Sequence, residues 1–189
     1  MLYLLFFNLF KSLYHYTPLG EEYIFNQTLD HFNPMDQRRF SQRYFLNYRY
    51  YRNISSNPII VYIGGEAEFS SSSIQSGAVI EVAQQTHALI AGLEHRFFGK
   101  SQPFSKLNST NLFYNTVDQA LEDLATFITF LRSNFCFNES CNVLVVGGSY
   151  SGSLSSWFRL YYPHLANFSW SSSAPLNIKR NFPEYDAKI

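Results

Sequence analysis

The feature that most constrains the fold is residues 143–152, Val-Leu-Val-Val-Gly-Gly-Ser-Tyr-Ser-Gly. A short aliphatic run enters a turn of small residues with Ser149 at its apex, and an amphipathic pattern follows over residues 153–162. This order of strand, tight turn and helix is typical of a nucleophile elbow, which exposes a serine hydroxyl. The start of the helix then points free N–H groups at any anion that forms there. The sequence therefore predicts Ser149 as a nucleophile.

The motif departs from the usual Gly-x-Ser-x-Gly pattern at its fifth position, where Ser151 stands and Gly152 follows one place later. A serine side chain is small enough to avoid a clash at this position. An ordinary turn between a strand and a helix also fits these residues, so the motif on its own leaves both interpretations open.

Apolar patterns along the rest of the chain predict strands that alternate with helices. The predicted strands are residues 38–51, as a half-exposed antiparallel strand, and residues 58–63, 88–93, 143–147 and 168–172. The predicted helices are residues 74–86, 116–131 and 150–162, and Thr116 with Gln119 is expected to form a capping box. A length of 189 residues suits about one domain. The pattern indicates an α/β domain with a mainly parallel sheet and an antiparallel start.

Two predicted loops follow the carboxyl ends of parallel strands, where ligands bind in such sheets. Gly65 and Glu66 come just after one buried strand, and Ser149 comes just after another. Acyl transfer to a serine needs backbone donors for the oxyanion that develops. The expected donors of this oxyanion hole are the N–H of Tyr150 and the N–H of Gly65 or Glu66. A plain tight turn at Gly64 is the alternative to this role.

No histidine stands where a serine nucleophile needs its base. The chain has five histidines, which are His15, His31, His87, His95 and His164. His95 lies in a polar cluster at the end of a predicted strand and is the one expected near the site. An ion pair between Glu94 and Arg96, or their neighbours, explains that cluster equally well. His87 is expected to be a core or edge residue of its strand.

The chain order in an elbow hydrolase is serine, then acid, then histidine. After Ser149 the acidic residues are Glu184 and Asp186, and the one histidine is His164, which is expected at the far end of the elbow helix. The sequence therefore predicts that these 189 residues cannot complete the triad in that order, and that they have negligible turnover by themselves.

The formal net charge of zero gives no reason to expect a nucleic acid or an anionic membrane as partner.

Several sequence features favour the secretory pathway. Residues 1–20 open with an apolar run too short to cross a bilayer, and they are expected to be a signal peptide or a disordered start. Five Asn-x-Ser/Thr sequons occur where chance gives about two. These glycosylation candidates are Asn26, Asn53, Asn108, Asn138 and Asn167.

Cys136 and Cys141 are the only cysteines in the sequence. They lie close together, between a predicted helix and the elbow strand, which favours a local disulfide in an oxidising compartment. Two unpaired thiols at a loop edge are the alternative. A zinc site is not expected, because no neighbouring histidine completes the ligand set.

Taken together, these motifs resemble the serine peptidase family that contains lysosomal prolyl-X carboxypeptidase, dipeptidyl peptidase II and thymus-specific serine protease. The matching stretches occur in the family's order and span nearly all of residues 25–175. They are Leu29-Asp-His-Phe32, Gln42-Arg-Tyr-Phe45, Val61-Tyr-Ile-Gly-Gly-Glu66, Glu94-His-Arg-Phe-Phe-Gly-Lys-Ser-Gln-Pro-Phe104, Asp118-Gln-Ala-Leu-Glu-Asp123, Gly147-Gly-Ser-Tyr150, Trp157-Phe158, Tyr162-Pro-His164 and Ser172-Ser-Ala-Pro175. The stretch from Asn26 to Asn33 is most similar to the thymus-specific branch.

The resemblance implies an α/β-hydrolase domain, with residues 21–189 as its N-terminal part and without the helical lid or the downstream Asp and His. It implies that Ser149 accepts the acyl group. It also implies a secreted or lysosomal exopeptidase that cleaves peptides after proline, as a dipeptidyl-peptidase or a carboxypeptidase. No cofactor, metal or membrane span is expected, and the oligomeric state, a homodimer included, stays open.

Two other functions fit the same residues. One is a catalytically inert fragment of the fold or a peptide-binding pseudoenzyme. The other is an esterase, because ester and peptide hydrolysis pass through the same kind of tetrahedral intermediate.

Overall fold

The structure is a computed structural model, and it describes residues 20–52, 57–136 and 141–187. The predicted leader up to residue 19 and the sequons at Asn53 and Asn138 lie outside the described residues. No helix within the described ranges has the length and apolar character needed to cross a membrane.

Within the described residues, six strands form one sheet in the order β1-β2-β4-β3-β5-β6. They are β1 (Glu21–Thr28), β2 (Arg39–Asn47), β3 (Ile59–Ile63), β4 (Leu89–Leu93), β5 (Val143–Gly148) and β6 (Phe168–Ser172). β1 pairs antiparallel with β2, and β2 pairs antiparallel with β4. The pairs β3–β4, β3–β5 and β5–β6 are all parallel. The predicted α/β fold, mainly parallel with an antiparallel start, is therefore confirmed.

The helices lie between or after these strands. They are α1 (Ala78–Thr86), α2 (Ser109–Leu112), α3 (Val117–Phe135), α4 (Tyr150–Tyr161) and α5 (Pro183–Asp186), with a 3₁₀ helix at Ser71–Ile74. α4 ends just before Pro163, which has no N–H to continue a helix. The helix predicted over residues 74–86 is shorter in the structure, because α1 begins only at Ala78 and Ile74 is the last residue of the 3₁₀ helix.

The core lies on both faces of the sheet because successive strand residues point to opposite sides. On β3, Ile59 and Val61 pack with α3 and α4, whereas Ile60 packs with α1 on the other face. A parallel strand buried on both faces needs a continuous apolar sequence, as β3 has.

Two local predictions differ from the structure. β2 is mostly buried and lies between β1 and β4, so residues 38–51 do not form a half-exposed strand. Thr116 caps α3 by accepting from the N–H of Gln119 at 3.2 Å. The Gln119 side chain does not return to Thr116; it contacts Asp30 and the N–H of His31 instead, which leaves half a capping box.

Candidate active site

Ser149 lies in a sharp turn between β5 and α4, with φ 54° and ψ −127°. A positive φ is unusual for a residue with a side chain and marks a strained backbone. Two backbone hydrogen bonds hold the turn. The Ser149 N–H donates to the carbonyl of Ser172 at 2.9 Å, and the Ser149 carbonyl accepts from the N–H of Ser153 at 3.1 Å. The residue is exposed, so the turn presents its side chain to solvent.

Small residues allow this turn to form. A Cβ on Gly147 would lie 2.0 Å from the carbonyl oxygen of Ser151, closer than any real contact. Ser151, at the position where the motif departs from the usual glycine, is buried. Its hydroxyl donates to the carbonyl of Gly148 at 2.8 Å and accepts from the Gly148 N–H at 3.1 Å. The Ser151 side chain therefore closes the turn instead of disrupting it.

The Ser149 hydroxyl has no hydrogen-bond partner among the residues that the structure describes. The hydroxyls of Ser151, Ser153 and Ser155 all bond to backbone carbonyls and are buried. Ser149 thus differs from its neighbours in having an accessible oxygen that is not already bonded within the described part of the chain.

The loop after β3 lies beside this turn. Gly64 is buried, and a Cβ there would lie 2.8 Å from the carbonyl oxygen of Leu93. A Cβ on Gly65 would lie 3.9 Å from the Ser151 hydroxyl, so the loop contacts the elbow. Glu66 follows and is exposed. This neighbourhood brings the predicted oxyanion donors of Gly65, Glu66 and Tyr150 to one edge of the sheet, and their role stays a prediction.

His95 is buried and uses both of its ring nitrogens. Nδ1 lies 2.6 Å from the carbonyl oxygen of Arg96, and Nε2 lies 3.0 Å from the hydroxyl of Tyr150. Burial lowers the pKa of the imidazole. His95 therefore lies near the elbow, as expected, but neither nitrogen is free to accept a proton from Ser149.

The charged neighbours of His95 do not pair with each other. Arg96 forms a two-point ion pair with Asp123, with its Nε 2.7 Å from Oδ2 and its Nη2 2.6 Å from Oδ1. The Nε2 atom of His31 lies 2.8 Å from the same carboxylate. Arg96 is entirely buried and Asp123 is only 1% exposed, so both charges depend on these contacts.

Glu94 belongs to a second buried network. One of its carboxylate oxygens accepts from Arg43 and from the N–H of Phe69, and the other accepts from Ser101 and the N–H of Lys100. Burial alone raises the pKa of a carboxyl group, but these hydrogen bonds outweigh it and hold the pKa of Glu94 below its usual value. The predicted pair of Glu94 with Arg96 is replaced by pairs with more distant partners.

The other two described histidines, His87 and His164, lie at or beyond the carboxyl ends of helices. His87 ends α1 in the left-handed conformation, with φ 56°, rather than lying in a strand. His164 is exposed beyond the carboxyl end of α4. His15 lies outside the described residues.

The two cysteines are half-buried, and the three sequons within the described residues lie at the surface. Cys136 and Cys141 form a disulfide with their Cα atoms 5.5 Å apart. Asn26, Asn108 and Asn167 are all exposed. Their exposure is compatible with glycosylation, which remains a prediction.

A model of the family described as serine carboxypeptidase S28 matches residues 27–189. Similar curated proteins include "Probable serine protease EDA2" of Arabidopsis thaliana, at 38% identity over 96% of this chain and 38% of that protein. Thymus-specific serine protease of Mus musculus is 38% identical over 86% of this chain and 32% of that protein. Lysosomal Pro-X carboxypeptidase of Mus musculus is 34% identical over 80% of this chain and 31% of that protein. The chain thus spans about a third of the length of these relatives.

Solved structures share the fold at low sequence identity. A structure from a study of two prolyl endopeptidases superposes with a TM-score of 0.55 and 12% identity, over 80% of this chain and 21% of that chain. At this identity the likeness shows the fold alone, and it supports the mainly parallel α/β fold predicted from the sequence.

Proposed function

Because this chain belongs to the serine carboxypeptidase S28 family, we propose that it supplies the nucleophile of a serine-type exopeptidase. The observation that carries the proposal is the exposed Ser149 on a strained turn between β5 and α4. Such a turn presents a hydroxyl to a carbonyl carbon without blocking its approach. Residues 21–189 are proposed to be one part of an α/β-hydrolase domain, preceded by a leader.

The proposed reaction proceeds through an acyl-enzyme. Ser149 Oγ forms a bond to the peptide carbonyl carbon while its proton passes to a base, and the carbonyl oxygen becomes an oxyanion. The N–H of Tyr150 and the N–H of Gly65 or Glu66 stabilise that oxyanion. The C–N bond then breaks, the amine leaves with a proton, and water releases the acyl group. This chemistry needs no cofactor.

The described part of the chain places no imidazole within hydrogen-bonding distance of Ser149 Oγ. We therefore expect the 189 residues by themselves to turn over peptide very slowly, because loss of the base and its acid removes most of the rate enhancement of a triad. The base and the acid are proposed to come from the parts of the domain that these residues do not include.

The proposed substrates are peptides cleaved next to proline near one terminus, since one relative is named a Pro-X carboxypeptidase. The proposed location is the lysosome or the secreted fraction. The disulfide between Cys136 and Cys141 and the exposed sequons are compatible with the oxidising secretory pathway.

The test is an assay of the full-length protein against a panel of proline-containing peptides blocked at either terminus. We expect hydrolysis of one blocked series only, and its loss in Ser149→Ala. The matched control is Ser105→Ala, an exposed serine, which should retain activity. Equal hydrolysis by the wild-type protein and Ser149→Ala would contradict the proposal.

The alternative is a peptide-binding protein without turnover, favoured by the unpartnered state of Ser149 Oγ within the described residues. The same peptides distinguish the two. A pseudoenzyme would bind them, by calorimetry, with equal affinity in the wild type and Ser149→Ala, and would release no product.

A further inference from the structure

We propose that His95 is a positioning residue. It accepts a hydrogen bond from the Tyr150 hydroxyl and so fixes Tyr150 and the start of α4 relative to the loop after β3 (residues 64–66), which we call the β3 loop. The proposal rests on the proposed function, because Tyr150 follows the nucleophile and its N–H is the expected oxyanion donor. The two ring nitrogens of His95 bond to the Arg96 carbonyl and the Tyr150 hydroxyl, so His95 acts through the Tyr150 side chain.

The contacts of His95 fix the direction of this hydrogen bond. The carbonyl oxygen of Arg96, 2.6 Å from Nδ1, can only accept, so Nδ1 carries the proton. In a neutral ring Nε2 then has a lone pair and accepts from the Tyr150 hydroxyl at 3.0 Å. The two rings also pack, with centroids 5.4 Å apart. A single arrangement satisfies both polar groups.

Both groups stay neutral near physiological pH. Burial lowers the pKa of His95. Burial, and then the charge of Glu66, raise the pKa of Tyr150 to about 12. A neutral imidazole and a protonated phenol are the states that this hydrogen bond requires.

The backbone around His95 is anchored on both sides. Glu94 and Arg96 are entirely buried, and each is held in a different ion-pair network. Arg96 also donates to the backbone carbonyls of Leu29 and Tyr114. The anchor segment, residues 94–96, is therefore fixed by its first and last side chains, while the middle side chain reaches the elbow.

The β3 loop docks on the same segment. The N–H of Gly64 donates to the carbonyl of Leu93 at 2.8 Å, and a Cβ on Gly64 would lie 3.0 Å from the nitrogen of His95. The Gly65 side of the expected oxyanion hole therefore rests on the anchor segment through backbone packing. The Tyr150 side rests on it through His95. The spacing between the two sides depends on this one segment.

The first experiment compares His95→Phe and Tyr150→Phe in the full-length protein with a proline-containing peptide as substrate. Each variant keeps a ring and removes one partner of the hydrogen bond. We expect kcat to fall about 10- to 100-fold with KM unchanged, because donors aimed at a transition-state charge act mainly on kcat. The double variant should be no slower than the slower single one, since both remove one interaction. His95→Gln, whose amide oxygen can accept from Tyr150, should recover part of the loss.

Matched controls are Tyr161→Phe and His164→Gln, two exposed side chains at or beyond the carboxyl end of α4. Both should leave kcat unchanged. Unchanged kcat in the His95 and Tyr150 variants, or multiplicative losses in the double variant, would overturn the positioning role while Ser149→Ala remains inactive. Activity that survives Ser149→Ala would instead overturn the proposed function itself.

A second measurement tests the geometry without turnover. Nitrogen-15 NMR of the imidazole should show the Nδ1–H tautomer of His95, and the Nε2 resonance should move in Tyr150→Phe but not in Tyr161→Phe. An Nε2–H tautomer, or no response to Tyr150→Phe, would overturn the proposal whatever the activity.

Discussion

The two sides of Ser149 are packed differently. On one side, which we call the charged flank, buried ion pairs lie on and beside β2 and β4. On the other, the small-residue flank, α4 and β6 contact each other through serine hydroxyls and glycine. The charged flank holds the Arg43–Glu94 and Arg96–Asp123 pairs. Each buried charge there is compensated by a partner from a distant part of the chain. This flank fixes the anchor segment.

The small-residue flank has no such charges in its described contacts. Ser155, entirely buried, donates to the carbonyl of Val145 at 2.9 Å and lies 2.9 Å from the hydroxyl of Ser169. A Cβ on Gly152 would lie 3.0 Å from the carbonyl oxygen of Ser172. Small side chains let α4 approach the sheet closely enough for these contacts.

The two flanks should therefore fail in opposite ways. Removing one partner from a buried ion pair leaves an uncompensated charge, so the charged flank is sensitive to substitutions that remove a charged side chain. The small-residue flank has no space for added atoms, so it is sensitive to substitutions by larger side chains. Ser149 lies where the two kinds of packing meet.

The largest expected effect is that of Asp123→Ala. It removes the carboxylate that compensates the buried Arg96, and we expect the free energy of unfolding to fall by about 3–5 kcal/mol. Urea denaturation measures this change. Asp118→Ala, an exposed residue in the first turn of the same helix, is the matched control and should cost less than about 1 kcal/mol. Equal losses in the two variants would show that the buried pair has no special role.

Gly147→Ala should have the next largest effect. Its new Cβ would lie 2.0 Å from the backbone of Ser151, which cannot rotate away. We expect a loss of about 1–3 kcal/mol or more in unfolding free energy, with the turn at Ser149 distorted. Gly148→Ala is the control, since its Cβ would meet its nearest atom at 4.0 Å. A stable Gly147→Ala protein with full activity would argue against close packing at the elbow.

Stability should also fall as the pH drops from 7.5 to 5.5. His95 has a lowered pKa in the folded state, so the unfolded chain binds its proton first as the pH falls through the usual histidine range. Unfolding then takes up a proton, and stability decreases by at most about 1.4 kcal/mol per pH unit for this group. Urea denaturation across this range should show a smaller pH dependence in His95→Phe than in the wild type. An identical dependence in both would mean that His95 titrates normally.

The smallest expected effect is that of Ser155→Ala. This variant removes a hydroxyl that bonds to Val145 on β5 and contacts Ser169 on β6. We expect a loss of about 1 kcal/mol in unfolding free energy, typical of one buried hydrogen bond. Ser105→Ala, on an exposed residue, should change it by less than about 0.5 kcal/mol. Equal unfolding free energies for the two variants would show that the Ser155 hydroxyl does not stabilise this flank.

The elements around Ser149 were predictable because their signals are local. A continuous apolar run marks β3, and small residues between a strand and a helix mark the elbow. β1 was not predicted, since its most buried side chain is the polar Gln27. That side chain is satisfied by Gln42 and by the backbone of Asp123.

The ion pairs and the contacts of His95 were not predictable, because their partners are distant in sequence. Glu94 pairs with a residue 51 positions away, and Arg96 pairs with one 27 positions away. His95 bonds to Tyr150, 55 positions away. The sequence shows only that Glu94 and Arg96 are neighbours, and in the fold they belong to different networks.

The most direct test of the nucleophile is fluorophosphonate labelling of the full-length protein, with mass spectrometry to locate the adduct. The structure predicts a covalent adduct on Ser149, whose hydroxyl is exposed, and none on Ser151, whose hydroxyl is buried and bonded to Gly148. Ser149→Ala should abolish the adduct. A label on another serine, or undiminished labelling of Ser149→Ala, would contradict the assignment of Ser149 as the nucleophile.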